Sequence, residues 1–251
     1  MNSRASSSKV SPPEVARIAS ELALAFDQLC IPSHDYAPVQ ATSFAGLDLR
    51  WYNRVTATLN GFGYRALGDM QKDVVVAAEY APWFLRVVLS TDGTTPVLLS
   101  HIVLRHQLRL RNFFKTWVWD RGRHTILLST EFSDGSFCET STNPQLYDVA
   151  PGFMEQHLPA TLSVHTVVLR HRQLITRYLR DKPDLKPLPL QGLQDVIASL
   201  NRAQARRAAE RRARAAFSEA ELWRLGHSPD LATALSAKMR QQNELVASKL
   251  T

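Results

Sequence analysis

Cysteine is nearly absent: two residues in 251. Cys30 and Cys138 stand far apart with no Cys-x-x-Cys spacing, which argues against a disulfide framework and a cysteine-based zinc site. Cys30 ends an apolar helical pattern and Cys138 lies in a strand pattern, so both read as small buried hydrophobes. Long apolar runs are missing too. The richest, VVVAAEYAPWFL over residues 74–85, is too short to span a bilayer, carries Glu79 and is broken by Pro82. The opening MNSRASSSKVSPP lacks the apolar core of a secretory signal and reads as a disordered polar tail over residues 1–11. A cytoplasmic location is the expectation.

Catalytic signatures are equally scarce. The chain has no HExxH, GxSxG or P-loop, and Gly61, Gly63 and Gly68 in GFGYRALG have the wrong spacing for a dinucleotide turn. Eight histidines are scattered with no Cys/His run at ligand spacing. His34 and Asp35 are adjacent in a proline-rich loop that gives them no fixed geometry, and Glu131 and Asp134 lie near a turn where acids are usually solvated. His165 and His171 are six apart on one expected helix and so face different ways, with His165 on the apolar line as a core histidine. No cofactor and no metal are expected. Because triads assemble from distant residues, an enzyme with dispersed catalytic groups stays as an alternative.

What the chain does have is a dense β-branched and aromatic stretch over residues 84–143, punctuated by Asp92-Gly93 and Asp134-Gly135. Each pair sits between strand-like runs, the strongest short-range hairpin signal there is. Helical spacing surrounds this meander. Val15, Ile18, Leu22, Phe26 and Leu29 mark one helix between Pro12-Pro13 and Pro32, and Leu47, Trp51, Val55 and Leu59 mark a second that Gly61 stops. Residues 64–70 read as a short strand with a turn at Gly68-Asp69. Residues 154–180 read as one long helix, with a start nearer Pro159 as the alternative. Three prolines in DKPDLKPLPLQG mark a linker, after which residues 193–216 turn Ala- and Arg-rich, and Ser218 and Glu221 stand at capping-box spacing. The expected fold is α+β: an antiparallel meander of about four to six strands packed on helices 12–30, 46–60 and 154–180. The expected division is a tail (1–11), an α+β domain (12–180), a linker (181–192) and a helical basic C-terminal module (193–251).

Lys and Arg total 30 against 23 Asp and Glu, a net charge of +7. The excess concentrates in two places. Residues 201–216, NRAQARRAAERRARAA, hold Arg202, Arg206, Arg207, Arg211, Arg212 and Arg214 against Glu210 alone. On a helix five of these spread over about half the circumference, with Arg212 outside that half. Such a surface reads in three ways: a solvated helix whose Arg stems cover apolar neighbours, a docking face for an acidic partner, or a phosphate-binding face. No aromatic is interleaved, which weakens base stacking. The second place is the middle of the meander, with Arg105, Arg109, Arg111, Lys115, Arg121 and Arg123, three histidines (His101, His106, His124), and Phe113, Phe114, Trp117 and Trp119. Leu108, Leu110 and Phe113 read as a strand, with a short amphipathic helix as the alternative, and alternating cations and aromatics on a sheet suit single-stranded nucleic acid. Beyond Asp134-Gly135, Ser136, Thr140, Ser141 and Thr142 read as a solvent-facing strand, with a hydroxyl-lined ligand rim as the alternative. The expectation for function is a non-catalytic accessory subunit whose basic helical C-terminal region docks onto a protein partner in a larger assembly. Nucleic-acid binding through the two arginine clusters is the rival.

Overall fold

The computed structural model describes residues 11–44, 46–76, 79–102 and 123–247. The fold is α+β: a seven-strand sheet, antiparallel but for one pair, with six α-helices among the described residues. The chain divides into two compact units. The larger comprises residues 32–145 and 149–206, and the smaller residues 1–31, 146–148 and 207–251.

In the larger unit the strands lie in chain order: β1 (Tyr36–Pro38), β2 (Tyr64–Val76), β3 (Glu79–Ser90), β4 (Pro96–Ile102), β5 (Arg123–Glu131), β6 (Phe137–Ser141) and β7 (Phe153–His157). Both Asp-Gly pairs form the expected turns between neighbouring strands. Gly93 (φ 73°) and Gly135 (φ 75°) take the left-handed conformation open to glycine, while the Asp92 and Asp134 carboxylates accept from the backbone N–H two residues on. Residues 64–70 are not a short strand broken at Gly68. They belong to one long strand, in which the pairing register shifts between Ala66 and Gly68 and glycine accommodates the irregular φ of 146°.

Two helices cover one sheet face: α2 (Leu49–Asn60) and α3 (Val164–Leu179), following α1 (Pro12–Leu29) of the other unit. Trp51, Tyr52, Val55 and Leu59 of α2 and Val167 and Val168 of α3 share one core with Phe84, Val88, Val97, Leu99, Ile126 and Leu128. At about 25 cal/mol per Å² of apolar surface removed from water, this cluster is the main source of stability on that side. The opposite face, through Met70, Leu85, Val87, Leu89 and Leu98, packs on Leu190 and Val196, the latter in α4 (Leu193–Arg214).

Residues 154–180 are not one helix. Residues 153–157 form β7, parallel to β6, and the helix begins only after Ser163, whose hydroxyl accepts from the Thr166 N–H. The spacing misled because Leu158 and Leu162 pack on the same core as the helix without belonging to it. Residues 181–192 are bonded to both Asp-Gly loops rather than left free. Lys186 O accepts from Ser133 N at 2.9 Å, Leu188 N donates to Glu131 O at 2.8 Å, and Leu190 N donates to Gly93 O at 2.7 Å.

The smaller unit holds α1, the C-terminal end of α4, α5 (Glu219–Arg224) and α6 (Pro229–Ala247). α1 was expected against the sheet. Its apolar line instead belongs to this helical unit, where Phe26 meets Phe217 edge-on at 5.1 Å, beside a core that includes Leu22, Leu222, Leu235 and Met239. A 3.6-residue apolar stripe says that a helix must bury a face, not which surface receives it.

Candidate functional site

The arginine helix α4 contributes to both units, and its guanidinium groups meet acceptors of their own chain. In the larger unit Arg202 grips Glu131 with two bonds, Nε at 2.7 Å and Nη2 at 2.8 Å. Arg206 donates to Gly135 O and lies against Gly152, where an added Cβ would fall 2.6 Å from the guanidinium carbon. In the smaller unit Arg211 is buried, donates to Leu29 O at 3.2 Å and lies over the Tyr147 ring at 5.0 Å. Burial pushes its pKa down. Arg212 donates to Cys30 O at 2.5 Å. α1 has no basic residue in its own last turn, so Arg211 and Arg212 supply the cations that its terminal carbonyls favour. Arg207 is half-buried, close enough to Arg211 to oppose its charge.

Arg214 joins a denser constellation. It reaches Asp148 at 3.2 Å, Glu221 at 3.3 Å and Glu210 at 3.8 Å. Asp148 also accepts from the Ser218 hydroxyl at 2.6 Å and from Arg224, whose Nε donates to Leu146 O at 3.1 Å. Burial opposes the Asp148 charge, yet the Ser218 hydroxyl with Arg224 and Arg214 holds its carboxyl below the usual range. Ser218 and Glu221 form the capping box that their spacing announced, and Glu221, itself buried, accepts from Asp148 N at 2.8 Å. A helix of six residues has little stability of its own. Here two arginines, Arg214 and Arg224, and two carboxylates, Asp148 and Glu221, fix α5 in place, and from it Trp223 projects with 64% of its surface exposed.

A second constellation escaped the sequence reading. Asp48 caps α2, its carboxylate accepting from Trp51 N at 2.9 Å. The Asp48 carboxylate lies 3.1 Å from His124 Nε2, and its backbone N–H donates to His101 Nδ1 at 3.4 Å. The His124 ring is stacked on Trp51 and on His101, each at 4.5 Å between centroids. The Trp51 N–H chiefly, and then His124, hold the Asp48 carboxyl below its usual range, while burial chiefly pushes His101 down. These four residues come from the cap and first turn of a helix and from two strands, so no local pattern joins them. The one signal was cross-strand: His101 and His124 sit opposite each other in register.

The basic middle of the meander falls elsewhere. Arg105, Arg109, Arg111, Lys115 and Arg121 lie outside the described residues, as do His106 and the aromatics Phe113, Phe114, Trp117 and Trp119. Arg123 opens β5 and only its backbone is described.

The Ser/Thr row does not face solvent. Ser136, Thr140, Ser141 and Thr142 are all buried, because β6 is covered on both faces. The hydroxyl of Thr140 meets His171 Nδ1 at 3.0 Å, and the other ring nitrogen meets Thr130 at 3.0 Å, which continues to Thr95 at 2.8 Å; the Thr142 hydroxyl accepts from Ile126 N at 2.9 Å. His171, not His165, is thus the core histidine. Burial pushes its pKa down to about 3. His165 is exposed and stacks on Phe62 at 5.0 Å. Both cysteines are buried free thiols, as expected. Among the described residues no His, Cys, Asp or Glu group is arranged to hold a metal, and no helix is long and apolar enough to cross a membrane. Compared with family models, with curated proteins and with solved structures, the chain matches none.

Proposed function

We propose that this protein is a non-catalytic accessory subunit that docks onto a protein partner through its helical C-terminal region, with Trp223 as the anchor. The observation that carries this reading is the presentation of Trp223. A large aromatic, mostly exposed, stands on a six-residue helix whose orientation is set by Asp148, Arg214, Ser218, Glu221 and Arg224. Rigid, amphipathic aromatics with few side-chain rotamers to freeze are the usual centres of binding energy in protein interfaces. The arginines of α4 act in this reading as scaffold. Their charges are engaged by the protein's own carboxylates and carbonyls, and Arg214 among them helps to hold the helix that carries the anchor. The test is to place a photo-crosslinking amino acid at position 223 in the full chain, identify the captured protein and reconstitute the pair from purified components. The reading expects one stoichiometric partner whose binding the reconstitution reproduces. Crosslinks that no purified candidate reproduces would defeat it.

A second reading, an acid–base enzyme, draws on the Asp48–His124–His101 stack, since histidine is the side chain that most often transfers protons in catalysis and a carboxylate beside it can orient its ring. It expects Asp48→Asn to abolish an activity that the wild type shows against a broad panel of esters and amides. Indifference of every panel rate to that substitution would dismiss it.

A further inference from the structure

The helices α2 and α3 carry a charge pattern that differs from that of α4. Neither contains an acid: LRWYNRVTATLN has Arg50 and Arg54, and VHTVVLRHRQLITRYL has Arg170, Arg172 and Arg177, with Arg180 as its C-cap. All six are exposed. They pack on the same sheet face, through a shared core, and Arg172 reaches across to Phe62 O at 3.4 Å just past the end of α2. Among the described residues the guanidinium groups of Arg50, Arg54, Arg177 and Arg180 bond to no side chain and to no carbonyl, whereas Arg202, Arg206, Arg211, Arg212 and Arg214 of α4 are held by their own chain. Nearby acids are largely occupied. Asp48 lies against His124, Asp69 is bonded twice by Arg86, and Asp92 accepts from Ser90 and Thr94; Asp181 follows Arg180.

We propose that the outer surface of α2 and α3 binds the phosphodiester backbone of duplex nucleic acid. Every cation on the two helices is arginine, whose planar fork matches phosphate oxygens with two bonds at once. Arg50 and Arg54 are one turn apart and Arg170 and Arg177 two turns apart, placing cations at intervals of about 6 and about 10 Å along each helix. A duplex carries a charge every ~1.7 Å of its axis, so these rows find phosphates at many settings with no exact register. Exposed Gln173 and Thr58 add neutral groups of the kind that bond phosphate oxygens. A single strand is less suited, since it seeks bare aromatic faces for its bases and Phe62 is covered by His165. A membrane surface is less suited as well. Leu49 (37%) and Leu169 (41%) are exposed apolar residues on separate helices, not a stripe that could enter a bilayer. This surface is distinct from the one around Trp223, and its failure would leave the docking proposal standing.

The test is fluorescence anisotropy of the full chain with a labelled duplex of about 20 base pairs, from about 50 to about 200 mM salt. Wild type should bind, and its affinity should fall steeply with salt. Arg54→Glu with Arg177→Glu should weaken binding about 30-fold and flatten the salt dependence by about two charges. Arg17→Glu with Lys238→Glu, which changes the net charge equally on other helices, should change affinity less than about threefold. Equal losses in the two double variants would overturn the proposal. So would a duplex that stays unbound at the lowest salt, or one that stays unbound while poly-glutamate or anionic vesicles bind through the same arginines.

Discussion

Glu131 and Arg202 form a two-pronged ion pair between the end of β5 and α4, and the carboxylate side of it is only 3% exposed. A carboxylate so placed depends on its partner, because a buried charge without one is far costlier than the pair is favourable. Arg202 itself is half exposed, so solvent screens part of the effect. Arg202→Ala should therefore destabilise the protein by about 2–3 kcal/mol. The double variant Arg202→Met with Glu131→Met should recover most of that loss. Denaturant unfolding of the three proteins checks this, and a double variant less stable than the single one would contradict it.

The buried chain Thr95–Thr130–His171–Thr140 sets a pH dependence. The His171 pKa falls from 6.5 to about 3 on folding, so between those values the unfolded chain binds the extra proton. The contribution of a neutral His171 is complete above about pH 6.5 and is lost as pH falls, at up to about 1.4 kcal/mol per pH unit. His34, lowered to about 4 chiefly by burial, acts with the same sign. His157 acts oppositely: the Glu155 hydrogen bond, first among its causes, raises its pKa, and that contribution fades as pH rises. Unfolding free energies at about pH 5, 6 and 7 should show a slope in wild type that His171→Gln lowers by nearly one proton. An unchanged slope in the variant would show that His171 does not titrate in this window.

Gly93 is where the proline-rich segment meets the first Asp-Gly turn. Its φ is 73°, and a Cβ there would lie 2.8 Å from Leu190 O. Gly93→Ala should thus cost about 2–4 kcal/mol, combining left-handed strain with displacement of the segment that carries the buried Leu190. Gly192→Ala meets nothing within 4 Å and should stay within about 0.5 kcal/mol of wild type. Thermal melts of the two variants separate the outcomes, and similar melting temperatures would refute the assignment of the contact.

Much of this architecture is written locally in the chain. Asp92-Gly93 and Asp134-Gly135 name their turns because few residues tolerate the backbone those turns need. Ser218 and Glu221 name a helix start because both halves of the capping box lie within four residues. What was not legible depended on partners distant in sequence. The stripe of α1 does not reveal that Phe217 is its counterpart. Leu158 and Leu162 look helical beside α3 because they share its core, although Phe153–His157 is a strand. The hydroxyl of Thr140 looks solvent-facing until His171, 31 positions on, supplies its buried partner. The arginines of α4 look free because several of their acceptors are backbone carbonyls, at Gly135, Leu29 and Cys30, which no side-chain pattern displays.

Trp223 is proposed as the anchor for a partner protein. The most direct measurement of that role is the dissociation constant, by calorimetry, of the reconstituted pair for wild type, Trp223→Ala and Leu24→Ala, the last an exposed apolar control at 69%. The account predicts that Trp223→Ala weakens binding by at least about 30-fold, some 2 kcal/mol, while Leu24→Ala changes it little. A Trp223→Ala protein that binds as tightly as wild type would contradict it.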